Sequence, residues 1–251
     1  MTEPLLRTES VGVKFGALAA LNDVSLSIAG GERRGIIGPN GAGKTTLFNA
    51  IAGSFFPTQG KIIFGGVDIT RTPPNRRAVA GISRTFQITN LFNKLTVREN
   101  ILMSVRGRRA RKFSLFAKGH PSSEESGVVD RALADSNLTA RADTRADYLS
   151  YGEQRQLELA LALSSAPSLL LLDEPAAGLS PAERVTIGAV IRALPRELTI
   201  ILIEHDMDLA LSLVDHVTCL YHGEVLCEGS PDSISSDARV QEVYLGKPRH
   251  A

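Results

Sequence analysis

Gly38-Pro39-Asn40-Gly41-Ala42-Gly43-Lys44-Thr45 fits G-x-x-x-x-G-K-[ST] at every fixed position. The apolar residues Gly35-Ile36-Ile37 lead in as a strand, and Thr46-Leu47-Phe48-Asn49-Ala50-Ile51-Ala52 leads out with helical character, so the glycines fall at a strand-to-helix turn. Glycine tolerates positive φ and lets backbone N–H groups crowd around phosphate oxygens, while the N-terminus of the following helix adds partial positive charge and unpaired donors. Lys44 is then expected to reach the β- and γ-phosphates of a nucleotide, and the Thr45 hydroxyl to sit on Mg²⁺.

Working outward, 251 residues with 43% hydrophobic content suffice for one large α/β domain or a domain with a subdomain. The formal net charge of +1 provides no global field for nucleic acid or lipid, so either partner would have to be recognised locally. Cys219 and Cys227 lie on neighbouring apolar stretches without C-x-x-C spacing and read as reduced core residues. Met1-Thr2-Glu3-Pro4-Leu5-Leu6 has no charged segment followed by an apolar run, and no apolar stretch reaches about 18 residues. The chain is therefore expected neither to cross a membrane nor to carry a signal peptide.

Ahead of the loop, Leu6 to Phe15 and Leu21 to Ile28 read as short strands separated by Gly16-Ala17; Phe15 is either a core side chain or a platform for adenine. After it, Gly60 to Gly66 reads as a strand ending in a Gly-Gly turn. From Arg71 to Tyr148 apolar residues thin out, and the stretch reads as an inserted helical subdomain with a loose loop. Val97 to Val105 is helical, and the basic run Arg106 to Lys112 precedes the polar Pro121 to Glu125. That basic run lacks interleaved aromatic residues and reads as a solvated helix end.

Ser150 and Glu153 satisfy the S-x-x-E capping box ahead of a helix with Leu157, Ala160 and Leu161 at helical spacing. Such a helix start, with a Ser and a Gly, also offers a hydroxyl and N–H groups to a phosphate. Leu169-Leu170-Leu171-Leu172 marks a strand buried on both faces of a parallel sheet and ends in Asp173-Glu174. At that sheet edge Asp173 can hold Mg²⁺ through water and Glu174 can polarise an attacking water. Ser180-Pro181-Ala182-Glu183 is a second capping box, opening a structural helix. A further strand, Thr199 to Ile203, delivers His205 to the same edge, within reach of the γ-phosphate or the water. Strands around Val217 to Tyr221 and Glu224 to Cys227 and a helix around Asp237 to Leu245 complete the chain.

In order and spacing these motifs resemble the ATP-binding subunits of ABC (ATP-binding cassette) transporters from about Leu5 to Gly246. Phe86-Gln87 is similar to the glutamine loop, Leu149 to Gln154 to the signature, Leu169 to Glu174 to the Walker B strand with its catalytic glutamate, Ala177-Gly178-Leu179-Ser180 to the D-loop, and His205 to the switch histidine. The resemblance implies a RecA-like P-loop NTPase core (about 5–86 and 155–246), a small antiparallel β-subdomain and an inserted helical subdomain (about 87–154). It implies ATP contacts from Phe15, Gly38, Pro39, Asn40, Gly41, Ala42, Gly43, Lys44, Thr45 and Thr46, and Mg²⁺ held by Thr45, Gln87 and Asp173. Ser150, Tyr151, Gly152 and Glu153 would touch the ATP of a second subunit, with catalysis resting on Lys44, Glu174 and His205.

Two departures stand out: LSGGQ is replaced by Leu149-Ser150-Tyr151-Gly152-Glu153, and Ser180 stands where Asp is common. Phosphate contact is expected to survive on Ser150 and Gly152; communication through the D-loop is what the changes bear on. Within the superfamily the motifs are most similar to subunits powering import of branched-chain amino acids, with urea, an amide, another small solute or a lipid-linked exporter as alternatives. A DNA-acting cassette would carry a long coiled coil or zinc-spaced cysteines, so no nucleic-acid partner is expected. The implied partners are a second ATP-binding subunit, two transmembrane permease subunits and a solute-binding protein, at the cytoplasmic membrane face. The permease contact is expected along Gln87 to Leu95, with Ile88, Leu91, Phe92 and Leu95, and along Val97 to Val105.

Overall fold

The computed structural model describes residues 3–85, 91–107 and 121–245. The chain opens with β1 (Leu6–Phe15) and β2 (Leu18–Ile28), an antiparallel hairpin turning at Gly16-Ala17. β2 starts at Leu18 rather than Leu21, because Ala19 and Leu18 continue the ladder opposite Lys14 and Phe15. β3 (Arg33–Ile37) runs through the phosphate loop into α1 (Lys44–Ala52), and β4 (Gln59–Phe64) and β5 (Val67–Asp68) complete an antiparallel sheet of order β2-β1-β4-β5.

Then follow α2 (Pro74–Ala80), β6 (Ile82–Arg84), α3 (Val97–Gly107), α4 (Ser123–Asp135) and α5 (Tyr151–Leu163). The remainder alternates: β7 (Leu169–Asp173), α6 (Pro181–Ala193), β8 (Thr199–Ile203), α7 (Met207–Leu213), β9 (His216–Tyr221), β10 (Glu224–Gly229), α8 (Pro231–Ser236) and α9 (Ala238–Leu245). The larger sheet has the order β10-β9-β3-β8-β7-β6. β9, β3, β8, β7 and β6 are parallel, and β10 closes one edge antiparallel.

Successive side chains of a strand face opposite ways, so the four leucines of β7 serve two cores. Leu169 and Leu171 join the cluster beneath α1 and the small sheet, with Ile36, Leu47, Phe48, Ile201 and Ile203. Leu170 and Leu172 join the opposite cluster, with Ile37, Ile187, Ile191, Ile200 and Leu202. A third cluster gathers Val97, Ile101, Val129, Leu133, Leu138, Leu157 and Ala160 from the helices between β6 and β7. α5 belongs to two of these, since Leu157 and Ala160 face the helical cluster while Leu159 and Ala162 face the sheet.

Pro121 to Glu125, read as loose loop, instead starts a helix: Ser122 caps α4, its hydroxyl accepting from the Glu125 amide while the Glu125 carboxylate accepts from the Ser122 amide. Satisfying two orphan donors reciprocally is what lets so polar a stretch begin a helix. Arg106, the start of the basic run, pairs with Glu125; Arg108 to Lys112 lie outside the described residues. Arg77 was not singled out in the sequence, yet it is 1% exposed. Its guanidinium donates to five carbonyls, those of Ala50 and Ile51 at the end of α1 and those of Ile69, Thr70 and Thr72.

Candidate functional site

Because β3, β8 and β7 are adjacent and parallel, the segments after them meet at one sheet edge. After β3, Gly38 (φ 143) and Gly43 (φ 101) take conformations that side chains resist, and a Cβ at Gly38 would lie 2.2 Å from the Leu220 carbonyl oxygen. Gly43 is the N-cap of α1 and brings no side-chain acceptor, which leaves the first amides of α1 open towards the loop. Pro39 and Ala42 are bonded to each other, and the Ala42 carbonyl accepts from Gly223, while Asn40, Gly41 and Thr45 are exposed and Thr46 is half-buried. The buried Lys44 Nζ donates to the carbonyls of Gly38 at 2.7 Å and Pro39 at 3.0 Å, bridging its own loop. Burial lowers the Lys44 ammonium from its usual range, and the charge of Glu174 acts against that shift. From the far end of the chain, Tyr244 braces the loop: its hydroxyl oxygen accepts from the Gly38 amide at 2.6 Å, and burial pushes the phenol up to about 12.

At the end of β7, the buried Asp173 is held by Arg84 at 2.7 Å. Arg84 also donates to Asn49 and lies 5.3 Å from the ring centre of Phe48, so it ties the carboxylate to α1. Glu174 adopts φ 49, unusual for a side-chain-bearing residue. Its Oε1 is 2.7 Å from His205 Nε2, with the imidazole 51% exposed and the carboxylate 18%. Behind them sits Glu204, which the sequence did not single out; it is buried and accepts from the amides of Ala176 at 2.8 Å and His205 at 3.2 Å. Burial raises its carboxyl above the ordinary range. Glu174, Ala177, Arg184, Glu204 and His205 line a half-open cavity of 330 Å³.

Phe15 stands 52% exposed and meets Phe55 edge-on at 5.4 Å, outside the core and available as a platform. Gln87, expected among the metal ligands, lies outside the described residues, as do Phe86 and Ile88. Among the described residues no hydrogen bond or ion pair joins Ser150 to Glu153 with the phosphate loop; their partners are Glu183 of α6, Arg155 of α5, Arg141 and one another. Ser150 and Glu153 form the capping box of α5, and Glu153 also pairs with Arg141 at 2.7 Å, which offsets its charge. Gly152 donates its amide to Glu183 at 3.0 Å. Tyr151, present where glycine is usual, lays its ring over Gly178 of the D-loop, where a Cβ would lie 3.2 Å away, and its hydroxyl accepts from Arg155. Ser180 fulfils as N-cap of α6 the role an Asp would have, since both side chains accept from the third helical amide.

A family model described as "ABC transporter" matches residues 21–177, and one described as "Branched-chain amino acid ATP-binding cassette transporter" matches residues 224–250. The chain belongs to the ABC transporter family. The cassette is 38% identical over 254 residues to the high-affinity branched-chain amino acid transport ATP-binding protein BraF of Pseudomonas aeruginosa, covering 98% of this chain and 100% of that one. It is 38% identical over 255 residues to LivG of Escherichia coli, a protein of the same description, with the same coverage. Among solved structures, the ADP conformation of an ATP-binding cassette of an ABC transporter superposes with a TM-score of 0.84 at 34% identity, covering 98% of this chain and 100% of the other. A dimeric cassette in a post-hydrolysis state with ADP and phosphate gives 0.73 at 26% identity, covering 90% and 98%. The cassette is thus an ATP-hydrolysing subunit of the P-loop NTPase fold, and no helix among the described residues is long and apolar enough to cross a membrane.

Proposed function

We propose that two copies of this cassette, or one copy and a homologue, enclose two ATP molecules head to tail and power import of branched-chain amino acids through two permease subunits fed by a solute-binding protein. The observation that carries the reading is the separation within one chain. Lys44, Asp173, Glu174 and His205 share one sheet edge, while the signature amide of Gly152 is bonded to Glu183 of α6 and the Ser150 hydroxyl to the Glu153 amide of its own helix. The solute class is supported by the names of the relatives and by the family match at residues 224–250.

In this reading the open amides of α1 and the loop cradle the phosphates, Lys44 exchanges its two loop carbonyls for phosphate oxygens, and Phe15 stacks on adenine. Glu174 orients a water towards the γ-phosphorus and takes its proton, the bond to the bridging oxygen breaks, and His205 holds Glu174 in place and contacts the departing phosphoryl oxygens. The hard oxygen donors of Thr45 and Asp173 suit Mg²⁺, and Arg84 engages only Oδ2 of Asp173. When bound there, the ion neutralises charge on the β- and γ-oxygens. ATP shifts the assembly only through its different affinities for the closed and open dimers. The permease grip belongs to a cleft of 480 Å³ between the sheet and the helical cluster, lined by Ile82, Leu91, Ser104, Glu158, Leu161 and Ala162.

Replacing Glu174 with Gln tests the shared site. The variant is expected to bind ATP, to hydrolyse it at least about 100-fold more slowly and to run as a dimer in Mg-ATP on size-exclusion chromatography. A variant that stays monomeric at saturating Mg-ATP would refute the shared site, and one that hydrolyses at the parent rate would remove Glu174 from its role.

A further inference from the structure

The N-termini of α5 and α6 are joined through a single carboxylate. Oε2 of Glu183 accepts from the Ser180 amide at 3.0 Å and from the Ser180 hydroxyl at 2.7 Å, which closes the capping box of α6. Oε1 accepts from the amide of Gly152, 31 residues earlier in the chain. A Cβ on Gly152 would lie 2.8 Å from that same oxygen, so only glycine lets the carboxylate come this close without a shift. The bonds from Ser180 and Gly152 hold the Glu183 carboxyl below its ordinary range, as an anion.

Gly152 is also one of the groups that, in the shared-site reading, meets the ATP of the facing subunit. An amide hydrogen cannot serve a carboxylate and a phosphate at once, and two anions at hydrogen-bonding distance from the same donor repel each other. We propose that Glu183 is a positioning residue that occupies the signature amide of Gly152 until the γ-phosphate of the facing ATP displaces its Oε1. This rests on the shared-site reading. Oε2 keeps its bonds to Ser180 throughout, so the carboxylate stays anchored on the D-loop and returns to Gly152 once phosphate has left. Closure of the dimer then includes the rupture of a charge-assisted bond between the D-loop end and the signature of the same chain.

The expected sign separates this role from a structural one. Charge-assisted hydrogen bonds are about twice as strong as neutral ones. Glu183→Gln retains an acceptor oxygen of the same reach but gives up the charge, so ATP displaces it more readily. If Glu183 were only a helix cap, the same change would loosen α6 and weaken dimer formation.

The measurement uses the full chain carrying Glu174→Gln, so that dimers accumulate, titrated with Mg-ATP and followed by size-exclusion chromatography with light scattering. Adding Glu183→Gln is expected to lower the ATP concentration for half-dimerisation about fivefold. Nucleotide affinity of the single chain, read by calorimetry below the dimerisation threshold, should stay unchanged. A companion carrying Ser180→Asp with Glu183→Gln gives α6 a carboxylate cap of its own and should retain the gain. Half-dimerisation at the same or a higher ATP concentration in both variants overturns the inference. A Glu174→Gln parent that never dimerises overturns the shared-site reading, and the inference with it.

Discussion

His205 stands half in solvent, yet its ring is fixed by one contact to Glu174 at 2.7 Å and its backbone amide by the buried Glu204. A group oriented this way towards the edge where charge develops contributes in the transition state more than in binding. His205→Ala is therefore expected to lower kcat about 100-fold while ATP affinity changes less than about threefold, as measured by steady-state hydrolysis and calorimetry. A loss confined to KM would instead assign His205 to ground-state binding. Lys44, Thr45, Glu174 and His205 were legible in the sequence because each sits at a fixed step from a glycine turn or at the end of an apolar strand. Arg84, Glu204 and Tyr244 were not, because their meaning lies in partners 89, 28 and 206 residues away. The two thiols illustrate a smaller gap. Cys219 and Cys227 face each other across β9 and β10 as free cysteines, but only Cys219 is buried, and burial pushes its thiol up to about 12.

Elements were readable wherever their ends carried their own signals. The capping boxes at Ser150 and Ser180 announced α5 and α6, and Ser122 with Glu125 carries the same signal for α4, obscured by the polar run around it. What local spacing does not encode is how an element is fastened. α1 presents its N-terminus to the phosphate loop, and its C-terminal carbonyls at Ala50 and Ile51 are received by Arg77. The cation complements the negative end of the helix, and burial lowers its pKa to about 10. Arg77→Met fills similar volume but takes the guanidinium away from five carbonyls, of which those of Ala50 and Ile69 keep a backbone donor, so it is expected to destabilise the chain by about 3 kcal/mol or more, read by urea unfolding. Arg77→Lys should recover only part of this, because a point ammonium cannot reach carbonyls on both sides as a planar fork does. Equal stability of Arg77→Met and the parent would show that the five bonds merely replace those to water.

Across the whole molecule the cleft beside the helical cluster is where the proposed permease contact is tested. Leu91 lines it and packs on the helical cluster, Leu95 is half-buried, and Phe92 is 55% exposed. Leu91→Ser with Phe92→Ser is expected to leave ATP binding by the isolated chain within about twofold. It should abolish membrane association and solute uptake in proteoliposomes, since interface anchors are worth about 2 kcal/mol each or more. Normal uptake of branched-chain amino acids by the double variant would move the contact elsewhere. α5 gives this surface its significance. Tyr151 and Gly152 of the signature lie in its first turn, while Glu158, Leu161 and Ala162 along its later turns form a wall of the cleft. A helix of 13 residues is a rod about 20 Å long, too short and too well packed to bend. Rocking it by about 10° around its signature end swings the far end through about 3 Å, which is a lever arm. In the proposed assembly the nucleotide end and the permease-contacting end would be the two tips of a single stiff helix, so that a tilt imposed at one tip is a sideways displacement at the other.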